Sequence, residues 1–121
     1  VMVVGVCRLT LMVSESHSLK EKRMVVRCIK DRTRLKFNVA IAEVGGEDAR
    51  QQVVLGFAVV ANERGFVEKM VERITGFIDS LAVAQLVDDE KDFVTYGEVG
   101  MGTEPGRWEP DPRPTVRHRR G

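Results

Sequence analysis

The sequence predicts an α+β domain whose elements run β-α-β-β-α-β, and three observations predict it. Two segments of helical periodicity are each flanked by segments of β-branched, alternating character. All four prolines (Pro105, Pro110, Pro112, Pro114) lie after residue 100, so nothing before them breaks a helix or a strand ladder. The first and third expected strands are also more apolar than the second and fourth. In a four-stranded antiparallel sheet of this order the first and third strands are central, and both helices cover one face. That arrangement is the ferredoxin-like sandwich.

The elements follow in order. "VMVVGVCRLTLMV" is apolar and β-branched almost throughout and reads as the first strand. The first helix starts at Ser18, because Glu21 three residues later completes a capping box, and it runs to about Leu35. "FNVAIAEV" is the second strand, with Phe37, Val39, Ile41 and Glu43 sharing one side. "GGED" makes a turn, and "QQVVLGFAVVAN" returns as the third strand. Asn62 is placed to cap the second helix, whose face is Val67, Met70, Val71, Ile74, Phe77, Ile78 and Leu81. "AQLVDDEKDFVTY" carries charge on both faces and is expected at a sheet edge. The folded domain covers 1–98, and the Gly/Pro/Arg-rich segment 99–121 is an extended or disordered tail.

With 121 residues and 43% apolar content, the chain buries one core without staples. Cys7 and Cys28 form no metal-ligand spacing, so they read as reduced core thiols, and no metal or cofactor is expected. No apolar run is long enough to span a bilayer. The apolar start lacks a basic flank and alternates with Arg8 and Thr10, so it reads as a strand, not a leader. The expected location is the cytoplasm.

Charge is where the sequence becomes specific. Net charge is only +1, yet His17–Lys36 holds eight basic residues against two acids, a local +6. Lys20, Arg23, Arg27, Lys30 and Arg34 are spaced at steps of three and four, which puts them in one stripe opposite Val25, Val26 and Ile29. A solvated helix face usually mixes signs; a row of one sign suits a phosphate backbone. His17 and the helix N-terminus add a further anion seat, and Arg117, Arg119 and Arg120 of the tail add flexible basic contacts. Lys22 falls nearer the core side, where a lysine either snorkels or pairs with an acid such as Glu43 or one on the last strand; Arg32 shares that ambiguity.

Two other classes are weighed. Two helices cover one sheet face only, and the central strands are apolar on both, so the open face needs a cover. A second copy packed sheet to sheet makes a homodimeric regulatory or scaffolding module of the ACT-like kind; the tail, with Val99, Met101 and Trp108, is the other cover. The open face is also where an RNA-recognition module stacks bases, and "LGFAVVAN" shares Gly56-Phe57-Ala58 with its third strand. That module's basic and later aromatic positions are Leu55, Val59 and Ala61 here, which argues against it. An enzyme is not expected: His17 and His118 are the only histidines, Ser18 is spent on its cap, and no glycine-rich phosphate loop follows the first strand.

"VVGV", "SHSLKEKR", "FNVAIAEVG" and "LGFAVVAN" together resemble the YlxP-like bacterial proteins, over about residues 2 to 95. The resemblance implies a small ferredoxin-like domain. It also implies a role near RNA or the ribosome, because genes of the family often lie among translation-initiation and transcription-termination factors, beside ribosome-binding factor A. It carries over no catalytic residue. This chain departs from the family at Arg50, where an aromatic is common, and in its longer ending after Val99.

Overall fold

The computed structural model describes residues 1–14, 18–46, 49–97, 108–110 and 116–119, the last two segments as backbone only. The elements are β1 (Met2–Met12), α1 (Leu19–Lys36), β2 (Ala40–Gly45), β3 (Gln52–Ala61), α2 (Arg64–Ser80), β4 (Gln85–Tyr96), β5 (Trp108–Pro110) and β6 (Val116–Arg119). The β-α-β-β-α-β order and ferredoxin-like class are as the sequence predicts. The sheet order is β2-β3-β1-β4-β5, with β6 also on β4, and every pairing is antiparallel.

Alternation sorts the strands. Val3, Cys7, Leu9 and Leu11 of β1 and Val53, Leu55, Phe57 and Val59 of β3 point at the helices and are buried. Val26 and Ile29 of α1 and Val67, Val71, Ile74 and Ile78 of α2 meet them. Residue 5 of β1 must be glycine, since a Cβ there would sit 2.5 Å from Val67 Cγ1 and 3.0 Å from Val71 Cγ2. The missing side chain lets α2 lie close on the centre of the sheet.

Helix α1 starts as its capping box requires: the Glu21 N–H donates to Ser18 Oγ at 3.1 Å, and the Ser18 N–H donates back to Glu21 Oε1. Three expectations need correction. Asn62 does not cap α2; Glu63 holds the N-cap position with an extended backbone and no side-chain cap bond. The first turn is instead braced by Arg64, whose Nε donates to Glu68 Oε1 at 2.7 Å. Strand β2 begins at Ala40, not Phe37, because Phe37 closes α1, donating its N–H to the Thr33 carbonyl. And β4 is not a bare edge: β5 pairs with Val94–Tyr96, and β6 with Asp88–Lys91. The register sets Arg119 opposite Asp88 and Arg117 opposite Glu90, and opposite charges facing across an antiparallel pair favour pairing. Val99 and Met101 lie outside the described residues.

Candidate nucleic-acid interface

Burying Val26 and Ile29 fixes the rotation of α1, and the cationic stripe then turns toward β2, the free edge of the sheet. Arg23, Arg27, Lys30 and Arg34, with Val26, Asp31 and Glu43, line a cleft of about 350 Å³ between helix and strand. Arg23, Arg27 and Arg34 are exposed and Lys30 is half-buried. Lys20 is exposed in the first turn and stands apart from the cleft lining. So four of the five stripe residues converge on one feature, along the rim of the helix and not at its crest.

Arg34 is already engaged. Its Nη2 donates to the Ile41 carbonyl at 2.8 Å, and its Nη1 is 3.8 Å from Asp31 Oδ1. The ion pair joins two half-exposed side chains and contributes little stability. The bond to Ile41 matters more, since it blunts one backbone acceptor on the free edge.

Lys22 takes neither of the routes open to it in the sequence. Its side chain is buried at 3% exposure, and Nζ donates to the carbonyls of Gly46 and Ala49 in the β2–β3 connection, not to a carboxylate. Sequence pattern gives its inward direction but not the loop that supplies the acceptors. Gly46 makes that loop possible: its φ of +80° is costly for any residue with a Cβ. Arg32 points to solvent. His17, Arg120, Glu47 and Asp48 lie outside the described residues.

Arg117 and Arg119 are not brought to the cleft. Strand β6 runs on β4, across the sheet from β2. The two basic segments therefore occupy opposite edges.

Glu43 is a site residue that sequence reasoning misses, although its place on the inward side of β2 is legible. It pairs with Leu55, whereas Gly45 pairs with Val54, so a bulge at Val44 follows it. Bulges re-aim neighbouring side chains. Among the described residues, no hydrogen bond or ion pair engages the Glu43 carboxylate, which lines the cleft beside the arginines.

The open sheet face is divided. Val6, Val44 and Val60 are exposed at 42%, 56% and 59%, and Val6 lines a trough of about 700 Å³ together with Ala40, Ala42, Gly56 and Ala58. Toward β4 the face turns polar: Arg8 Nη2 lies 2.7 Å from Glu90 Oε1, and Asp88 and Asp92 share that side by register. Phe57 is buried under the helices, so β3 offers no stacking platform to RNA.

Cys7 is buried with its Sγ 3.8 Å from Thr75 Oγ1. Burial pushes its thiol up to about 11, so it is a neutral core group at ordinary pH. Among the described residues no three His, Cys, Asp or Glu side chains gather as a metal site, and no helix is long and apolar enough to cross a membrane.

Comparison with known proteins gives the chain a family. An uncharacterized protein, YlxP, of Bacillus subtilis (strain 168) is 38% identical over 78 residues, which cover 64% of this chain and 85% of that protein. The model of a family described as a protein of unknown function, DUF503, matches residues 4–91, from β1 into β4. No enzymatic activity figures in either description. With both helices, β2 and β3 and most of β1 and β4 inside that match, the chain belongs to the DUF503 family, the family of YlxP.

Proposed function

We propose that the protein is a non-enzymatic cytoplasmic accessory factor that binds RNA, free or in a ribosomal particle, through α1 and the cleft beside it. One observation carries the reading: four cations from one helix line one cleft, in a chain whose net charge is only +1. Arg23 to Arg34 spans about 16 Å along the helix axis at 1.5 Å per residue, enough to follow a few consecutive phosphates. Lys20 extends the row toward the N-terminus of α1, where the helix dipole also favours anions.

The test is a titration of labelled structured RNA at several salt concentrations. Binding is expected to weaken steeply with salt, the mark of counterion release. Replacing Arg23, Arg27 and Lys30 by Glu together lowers affinity by about a hundredfold or more. It also flattens the salt slope by roughly one for each phosphate the protein no longer neutralises. Undiminished binding by that variant would make the stripe decorative.

The open sheet face supports a second reading, a homodimeric regulatory or scaffolding module. Its support is the exposed trio Val6, Val44 and Val60 and the trough that Val6 lines. A protein that sediments as a monomer across the micromolar range removes that reading.

A further inference from the structure

We infer that the α1–β2 cleft holds one unpaired nucleotide and reads its base through Glu43, with guanine the favoured base. This rests on the RNA-binding reading above and sharpens it to a substrate. The cleft's volume of about 350 Å³ falls at the small end of sites for single ligands of low molecular mass. A duplex cannot enter a recess of that size; a base from a loop or a single strand can.

The inference turns on why a carboxylate sits among four cations. A recess made only for phosphate gains nothing from Glu43, whose charge repels the ligand. Yet the fold directs it there: Glu43 shares the inward parity of Ile41, and the bulge at Val44 follows it. Its oxygens accept from no described group, so they are open to donors on a ligand. A phosphate brings no such donor at neutral pH, whereas a base edge does.

The bases differ in what they bring. Guanine presents two parallel donors, N1–H and the 2-amino group, which match the two oxygens of a carboxylate. Adenine and cytosine present one amino group next to an acceptor nitrogen. Uracil presents N3–H between two carbonyl oxygens, and one of these would face the second carboxylate oxygen. Guanine alone satisfies both oxygens without repulsion. Arg23 and Arg27 supply planar cations for stacking and phosphate contact, and Val26 supplies an apolar wall.

The test uses labelled single-stranded oligonucleotides of repeating UUG, UUI (inosine, which lacks the 2-amino group) and UUU, titrated by anisotropy against the full chain. The natural protein is expected to prefer UUG over UUU by about tenfold, or about 1.4 kcal/mol, with UUI between them. Glu43→Gln, which keeps size and shape, is expected to abolish the preference and to bind UUU more tightly, because the repulsive charge is gone. Equal binding of all three by the natural protein, or a guanine preference that survives Glu43→Gln, overturns the base reading. If salt-sensitive binding persists in that case, the cationic cleft stands without it. Failure of every oligonucleotide and of structured RNA to bind sinks both readings together. The inosine arm needs no variant, so the outcome does not depend on how well the substituted chain folds.

Discussion

The two edges of the sheet face the same hazard and meet it differently. At β2 the edge is left open, and α1 guards it with a side chain, Arg34, whose guanidinium takes the Ile41 carbonyl. At β4 the chain covers the edge with its own backbone, β5 and β6, and sets Arg117 and Arg119 in register with Glu90 and Asp88. Basic residues are thus plentiful at both edges but stand in different company. At β4 the backbone register sets them opposite acids of the same chain; at β2 three arginines and a lysine surround one cleft with Asp31 and Glu43. Local balance of charge, not its total, is what distinguishes the two edges.

That contrast can be broken most directly by moving the charge reversal. Arg117→Glu with Arg119→Glu is expected to change RNA affinity less than about twofold, against about a hundredfold for the reversal on α1. It should instead lower the melting temperature by opposing like charges across the β4–β6 pair. Equal losses of affinity from the two edges would dissolve the distinction.

Next in size is the tether beneath α1. Lys22→Met removes a buried cation bonded to the Gly46 and Ala49 carbonyls. Losing charged hydrogen bonds of this kind costs about 1.5–3 kcal/mol, measurable by urea unfolding. A neutral result would mean that water replaces the ammonium without penalty. Gly5→Ala tests the close approach of β1 and α2 and should cost about 1–3 kcal/mol, because two valines on a helix and the Phe93 ring leave no room for a methyl. The cleft edge lies elsewhere, so RNA affinity should not follow that loss.

The smallest effect concerns the thiols. Half-buried Cys28 is expected to react with a thiol reagent in the folded state, and buried Cys7 only as the protein opens. The raised Cys7 value has a definite sign. A thiol harder to ionise in the fold than in the unfolded chain contributes stability in full below its ordinary value of 9.0, and loses it as pH rises through about 11. A Cys7→Ala variant should therefore lose less stability than its parent between those pH values, a comparison readable from denaturation midpoints.

Much of this is legible in the residues. The inner places of β1 and β3 follow from their apolar content, whereas β4, which is paired on both sides through β1 and β5/β6 despite its charges, does not follow that rule. The start of α1 follows from Ser18 and Glu21, whose partners lie within one turn. What escapes the sequence depends on groups distant along the chain. The inward direction of Lys22 can be read from its position, but its acceptors lie 24 and 27 residues away, on backbone that every residue shares. Asn62 has a capping side chain, yet the helix begins one residue past its reach. Period alone finds the stripe, whereas the cleft exists only because β2 lies alongside it. Glu43 carries the one overlooked signal: an acid on the inward side of an edge strand, beside a helix of cations.

The position of β1 sets a clock during synthesis. Its partners are β3 and β4, and the last of them ends at Tyr96, whereas β1 itself ends at Met12. At ribosomal speeds of about 5 to 20 residues per second, β1, one of the two most apolar strands, waits roughly 4 to 17 s for its second neighbour. The first neighbour, β3, arrives after about half that interval, carried in with α1 and the hairpin. For that time the nascent chain is a half-sheet with one long apolar edge.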